Sequence, residues 1–342
     1  MFLTLALLSM PLGAVEVPTL YTAEVPLDQE ASDPRAEAYR AALVEVLLRV
    51  SGARLALDEE MVDLLFPSPG AYVTQFRPGA DDSLWVSFDG DAIERELRGA
   101  GQSIWGSDRP LTLVWLAVDW GQGEREIVAA DDPDRIEQEA RSIDRNRMIR
   151  ERLLEIAERR GLPLLFPLLD TTDLQGVSFA DIWGGFDDAI LDASERYDVN
   201  SVLIGRVRAE SAQPARWSWY FADAGTTLSG SPEAVLGQVA DTLAAEFAIG
   251  GDLPLEPVAL NISGVVSVEA YGNVQRILEG VALIEGFAVT AVTGDRISYR
   301  VDVRGGADRL RRALRFTDLV EQDYVIDASQ IDDTALEFYY NP

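Results

Sequence analysis

Apolar residues recur along this chain at three different spacings, and each spacing predicts a different kind of element. Leu20–Val25 reads as a strand. Asp33 then stands at a helix cap position, Pro34 in the first turn and Gly52 just past the end, which is where proline and glycine suit a helix. Between them Tyr39, Ala42, Leu43, Val46, Leu47 and Val50 return every three or four residues and form one helical face. A short helix at Asp58–Phe66 is broken by Pro67, Pro69 and Gly70. Strands at Tyr72–Phe76 and Leu84–Phe88 and a helix over Asp91–Ala100 complete an expected N-terminal α+β domain, residues 15–105.

The spacing changes after Gly101–Pro110. Leu111–Val118, Leu164–Leu169 and Ser201–Val207 are continuous apolar runs. Strands covered on both faces read this way, so the runs predict a parallel sheet. Ile149, Leu153, Ile156 and Ala157 form one helical stripe between them, and Phe186, Ile190, Ala193 and Tyr197 another. A hairpin of Trp217–Phe221 with Thr226–Leu228 follows, turning at Asp223-Ala224-Gly225. A helix then runs from Ser231-Pro232 to Ile249. The expectation is a central three-layer βαβαβ domain, residues 106–252, with a mainly parallel sheet and right-handed crossovers.

After Pro254 and Pro257 the order is strand Ala259–Val266, helix Ala270–Ile284, strand Phe287–Thr293, strand Arg296–Arg304 and helix Ala307–Arg315. In Arg296–Arg304 the residues Ile297, Tyr299, Val301 and Val303 alternate with polar ones, so one face is buried and one wet. This order predicts a small ferredoxin-like α+β domain at 253–342, with Phe338-Tyr339-Tyr340 docking as an edge strand or cap. The fold class expected overall is α/β and α+β in three modules.

Phe2–Leu12 is apolar and ends at small residues near Ala14. About ten residues are too few to span a bilayer, for which about twenty are needed. The run therefore reads as a signal peptide over residues 1–14, although no basic residue precedes it. The expected product is a soluble periplasmic protein that is not a lipoprotein, since no cysteine follows, and that has no integral membrane segment.

Composition narrows the chemistry. The chain has 342 residues with 58 Asp and Glu against 29 cations, a net charge of −29; it has no His or Cys, and every cation is Arg. A Ser-His-Asp or Cys-His nucleophile, a lysine Schiff base and a His/Cys metal site are therefore excluded. No cofactor, metal ligand or catalytic residue is expected. The acid is spread along the chain, with 17 acids to 7 Arg in 15–105, 27 to 14 in 106–252 and 14 to 8 in 253–342. A surface so negative is repelled by phosphate backbones, so nucleic acid is not expected as a partner. Acid-rich, lysine-free composition of this kind suits a salt-rich habitat or a GC-rich genome.

The densest polar cluster is Asp170-Thr171-Thr172-Asp173, followed by Asp181 and Trp183-Gly184-Gly185. It comes after the second parallel strand, and ligand sites of open parallel sheets lie at strand carboxyl ends. Asp170, Asp173 and Asp181 could hold a cation or share acid and base roles; Asp and Thr are equally ordinary turn and cap residues. Trp183 reads as a glycan platform or as cover for the sheet. Trp217 and Trp219 read as a partner patch or as core, and Arg206 as a partner for Asp170 or Asp173.

Three blocks carry a family resemblance. They are Val17–Pro26 with the helix Arg40–Gly52; Arg160-Gly161-Leu162-Pro163 through Asp170; and Asp181–Phe186 with Ala193–Tyr197 and Leu203–Arg206. Together they resemble a proteobacterial family of exported proteins known as domain of unknown function 2066, across nearly the whole chain. That likeness brings no activity, cofactor or catalytic residue with it. The middle region is more loosely similar to periplasmic α/β domains of curli-export, flagellar-T-type and penicillin-binding-protein-activator proteins. This looser likeness implies an envelope accessory or assembly factor. With the signal-like start, the missing catalytic chemistry and the modular layout, the expectation is a non-enzymatic protein that binds an envelope protein or a peptidoglycan-associated partner, its oligomeric state open. The alternative is a carboxylate-based, cation-dependent glycan binder or hydrolase using Asp170, Asp173 and Asp181.

Overall fold

A computed structural model of the chain describes residues 14–52, 59–80, 82–130, 140–209, 211, 213–221, 224–250, 253–281, 283–315, 317, 319–322 and 335–341. The apolar run Phe2–Leu12, Asp223 of the expected hairpin turn and the acidic stretch from Asp327 lie outside the described residues. The described residues form two compact units, one of Val15–Leu253 and one beginning at Pro254. It is a mixed α/β protein built on several sheets.

The larger unit opens with β1 (Thr22–Pro26) and α1 (Pro34–Ser51). Asp33 caps α1 by accepting from the Ala36 amide at 3.1 Å, and Gly52 ends it in the left-handed conformation at φ 67°. Then come α2 (Glu59–Leu65), β2 (Val73–Pro78), β3 (Ser83–Phe88) and α3 (Gly90–Gly99). The strands pair antiparallel in the order β1-β3-β2, and Ala42, Leu43, Val46, Leu47 and Val50 of α1 pack on Val86, Ile93 and Leu97.

The unit continues through β4 (Ser103–Ile104), β5 (Thr112–Gly121), β6 (Glu124–Ile127), α4 (Ala140–Arg159) and β7 (Leu164–Leu165). Three short helices follow: α5 (Thr171–Gly176), α6 (Phe179–Gly184) and α7 (Asp187–Ser194). Then come β8 (Ser201–Arg208), β9 (Ala215–Phe221), β10 (Ala224–Gly230), α8 (Pro232–Phe247) and β11 (Ile249–Gly250). The large sheet runs β10-β9-β8-β5-β6, with β7 also on β5. Side chains of β5 alternate between two cores. Val114, Leu116 and Val118 meet α4 and α8, while Leu113, Trp115 and Ala117 meet α6 and α7. This double burial produces the unbroken apolar runs in the sequence.

The expectation of a mainly parallel sheet needs correction. Only β5–β8 and β5–β7 are parallel; β8–β9, β9–β10 and β5–β6 are antiparallel. β7 shrinks to two residues because Pro163 and Pro167 flank the run. Leu169 at its end adopts φ 50°, outside strand geometry.

Buried arginines join the β1–β3 part to the large sheet. Arg109 is fully buried, and its guanidinium lies 3.9 Å from the Trp105 ring centroid. It donates only to backbone carbonyls: Gly106 at 2.9 Å, Arg160 at 3.2 Å, and Gly161, Arg49 and Trp105 at 2.8 Å. Three of these oxygens lie at the ends of α1 and α4, where helix dipoles favour a cation. Arg49 reaches the carbonyls of Thr19 and Thr22 at 2.7 Å, and Arg160 reaches the Gly52 carbonyl at 3.1 Å and pairs with Asp241 of α8. The pairing of β11 with β4 adds a backbone link.

The smaller unit holds β12 (Leu255–Ser263), α9 (Val268–Gly280), β13 (Ile284–Thr293), β14 (Arg296–Arg304), α10 (Gly306–Leu314), β15 (Leu319–Glu321) and β16 (Leu336–Tyr340). Its strand order is β13-β14-β12-β16-β15. The first three strands follow the expected ferredoxin-like path. The next place departs from it: β16 runs parallel to β12, and β15 lies outside it, antiparallel. The expected edge position of Phe338-Tyr339-Tyr340 is thereby corrected. Phe338 and Tyr340 are buried within the sheet.

Candidate functional site

The cluster at Asp170 is a knot of internal bonds. One oxygen of Asp170 caps α5 by accepting from the amides of Thr172 and Asp173, both at 3.0 Å. Both its oxygens also take Arg196, at 2.7 and 2.8 Å. Arg196 reaches Asp173 at 2.8 Å, and Asp173, fully buried, accepts from the Leu169 amide at 2.8 Å and the Tyr197 hydroxyl at 2.5 Å. The Leu168 amide in turn donates to Tyr197 at 2.8 Å. The Arg196 guanidinium, then the Asp173 amide, hold the Asp170 carboxyl far below the ordinary carboxylate value. Burial, then its bond to Asp173, raises the Tyr197 phenol to about 12.

Asp181 is not part of that knot. It accepts from the Ser178 amide at 2.8 Å and the Ser178 hydroxyl at 2.6 Å, closing the capping box of α6. Among the described residues, no group of three or more acids comes together as a cation cage. A cation placed between Asp170 and Asp173 would stand where the Arg196 guanidinium stands.

Trp217 is fully buried, with its indole N–H on the Gly230 carbonyl at 3.3 Å. Trp219 is nearly as deep, and its indole N–H donates to Ser201 at 3.0 Å. Both face the core that α4 and α8 cover, so neither offers a ring to a partner.

Trp183 and Arg206 do come together, at the carboxyl end of β8. Arg206 does not reach Asp170 or Asp173. It donates to the Ile182 carbonyl at 2.5 Å, Ser218 at 3.1 Å and Asp187 at 2.6 Å. Tyr220 completes that group by donating to Asp187 at 2.8 Å; burial, then this carboxylate, raises its phenol to about 12. Trp183 is half-buried and stacks on Phe179, with ring centroids 5.2 Å apart and planes at 19°. Arg208 lies over Trp183 at 5.4 Å from the ring centroid, so the ring is a layer in a stack and not an open platform. Arg206 and Arg216 are direct cross-strand partners, and Arg208 projects two residues further along the same face. Trp183, the three arginines, Gln213 and Pro214 are among the residues lining a cleft of about 340 Å³.

Trp183 and Arg206 stand out in the sequence as candidate site residues, whereas Tyr197 reads there only as part of a helical stripe and Arg196, Asp187 and Arg208 do not stand out as such. The readable signal for Arg208 is its spacing from Arg206 at the end of an apolar run. Arg196 lies 26 residues from Asp170 and leaves no such pattern.

Comparison with known proteins adds one finding. Residues 14–106 match a family described as a domain of unknown function (DUF8605). No curated protein and no solved structure matches the chain. Among the described residues, no helix is long and apolar enough to cross a membrane.

Proposed function

We propose that this chain is an exported, non-enzymatic accessory or assembly protein that binds another component of the cell envelope. On this reading residues 1–14 are its signal peptide and it works in the periplasm. Its three modules span 15–105, 106–252 and 253–342, and it is kin to the proteobacterial exported family of domain of unknown function 2066. The observation that carries the reading is the engagement of its carboxylates. Asp170 and Asp173 share Arg196, and Asp181 closes a helix cap. All three acids named for the hydrolase or cation-dependent glycan binder are thus already bonded within the fold, which weighs against that alternative.

Crosslinking followed by pull-down of the full chain from periplasm tests the proposal. A specific envelope partner is expected, together with a mature amino terminus near residue 15. Recovery of uncrosslinked chain alone, or retention in the cytoplasm with the leader intact, overturns it. Turnover of a glycan that is lost in Asp173→Asn, while the variant stays folded, would favour the hydrolase.

A further inference from the structure

We propose that the cleft at the carboxyl end of β8 is a binding site for a small organic oxyanion, a carboxylate or a phosphate monoester, held by Arg208 and Arg216. This goes beyond the accessory role and stands independently of which envelope component the protein docks.

Carboxylates outnumber arginines 58 to 29, so an arginine here has many acids to choose from. In the cleft Asp187 answers Arg206, but neither Arg208 nor Arg216 meets a carboxylate among the described residues. Like charges directly opposite on neighbouring strands destabilise a sheet, and Arg206 faces Arg216 in just that way. Asp187 offsets the charge of Arg206, and a bound anion would do the same for Arg216.

Arg206 is fixed by the Ile182 carbonyl, Ser218 and Asp187, so it gives the cleft a rigid floor, and Arg208 and Arg216 bring the uncompensated charge. Arg208 rests on Trp183, which rests on Phe179, which in turn lies 5.7 Å from the Arg125 guanidinium. This chain of contacts holds the Arg208 guanidinium beside the Trp183 ring at the cleft, and a guanidinium held in place can grip an oxyanion in bidentate fashion at a reduced entropic cost.

A volume of about 340 Å³ suits a small molecule, and Pro214 and Ala215 give the cleft an apolar wall for an organic body. It lies beside the carboxyl ends of the parallel pair β5 and β8, where open sheets place their ligands. A polyanion would feel the whole charge of −29, whereas a compact anion is met mainly by the local guanidiniums.

Calorimetric titration of the full chain at about 0.15 M salt, where charges beyond about 8 Å are screened, tests the site, with succinate, glycerol 3-phosphate and neutral glycerol as probes. One-site binding of at least one dianion and none of glycerol is expected, and the tighter of the two arms identifies the headgroup. Affinity should fall about tenfold or more in Arg208→Gln or Arg216→Gln, as expected when a charge-assisted hydrogen bond is lost. It should hold in Arg95→Gln, another exposed arginine, on α3. Both test positions are exposed, so the fold should survive each change. No saturable binding of either dianion, undiminished binding in both variants, or an equal loss in Arg95→Gln would overturn the proposal.

Discussion

Asp170 accepts two backbone amides and both arms of Arg196 while remaining at the surface. Those partners favour its charged form, so its folded pKa lies below the unfolded value of about 3.9. A carboxylate shifted in this direction contributes stability above the unfolded value and loses it as pH falls through the folded one. Asp170→Asn should therefore unfold more readily than the parent at pH 7, by chemical denaturation. The gap should narrow progressively below about pH 4. A gap that stays constant into acid would mean that the Arg196 pair does not stabilise the fold. Tyr197 adds an alkaline counterpart. Its raised phenol pKa gives stability that is fully present below about 10 and lost as pH rises through about 12.

Helix ends meet at Arg109, whose only acceptors are carbonyl oxygens, three of them from the carboxyl ends of α1 and α4. Burial, then the nearby Arg49 charge, lowers its pKa from the ordinary arginine value. Arg109→Met would leave several buried carbonyls unanswered and should cost about 3–5 kcal/mol in equilibrium denaturation. A loss below about 1 kcal/mol would show that water replaces the guanidinium there. Nothing in the sequence announces this residue, because its partners are backbone atoms far along the chain and any amino acid supplies those. Elements with local signals were legible. Asp33, Pro34 and Gly52 bound α1 where the structure bounds it, and the alternation in Arg296–Arg304 marks β14. The strand directions around β8 were less legible. An apolar run shows that both faces of a strand are covered but not which way its neighbours run. The site was half legible: Trp183 and Arg206 stood out as residue types, while the pairing of Arg206 with Asp187 depends on the packing of α7 against β8.

Across the whole chain, acids exceed arginines by 29, so most carboxylates repel one another even though many surface arginines are paired. Exposed pairs contribute about 0–1 kcal/mol each, and salt weakens them. It also shortens the range of the general repulsion to about 3 Å at 1 M. Since unpaired acids dominate, screening the repulsion should outweigh the loss of pairs. The melting midpoint should rise by several degrees from low salt to about 1 M NaCl in a thermal scan. A falling midpoint would mean that the ion pairs dominate. The joint at Arg109 should respond differently. Amide oxygens neither take up protons at mild acidity nor shed their dipoles to sodium. As acid or dilution loosens the charged periphery, α1 should stay anchored beside α4, making that seam among the last places where this molecule comes apart.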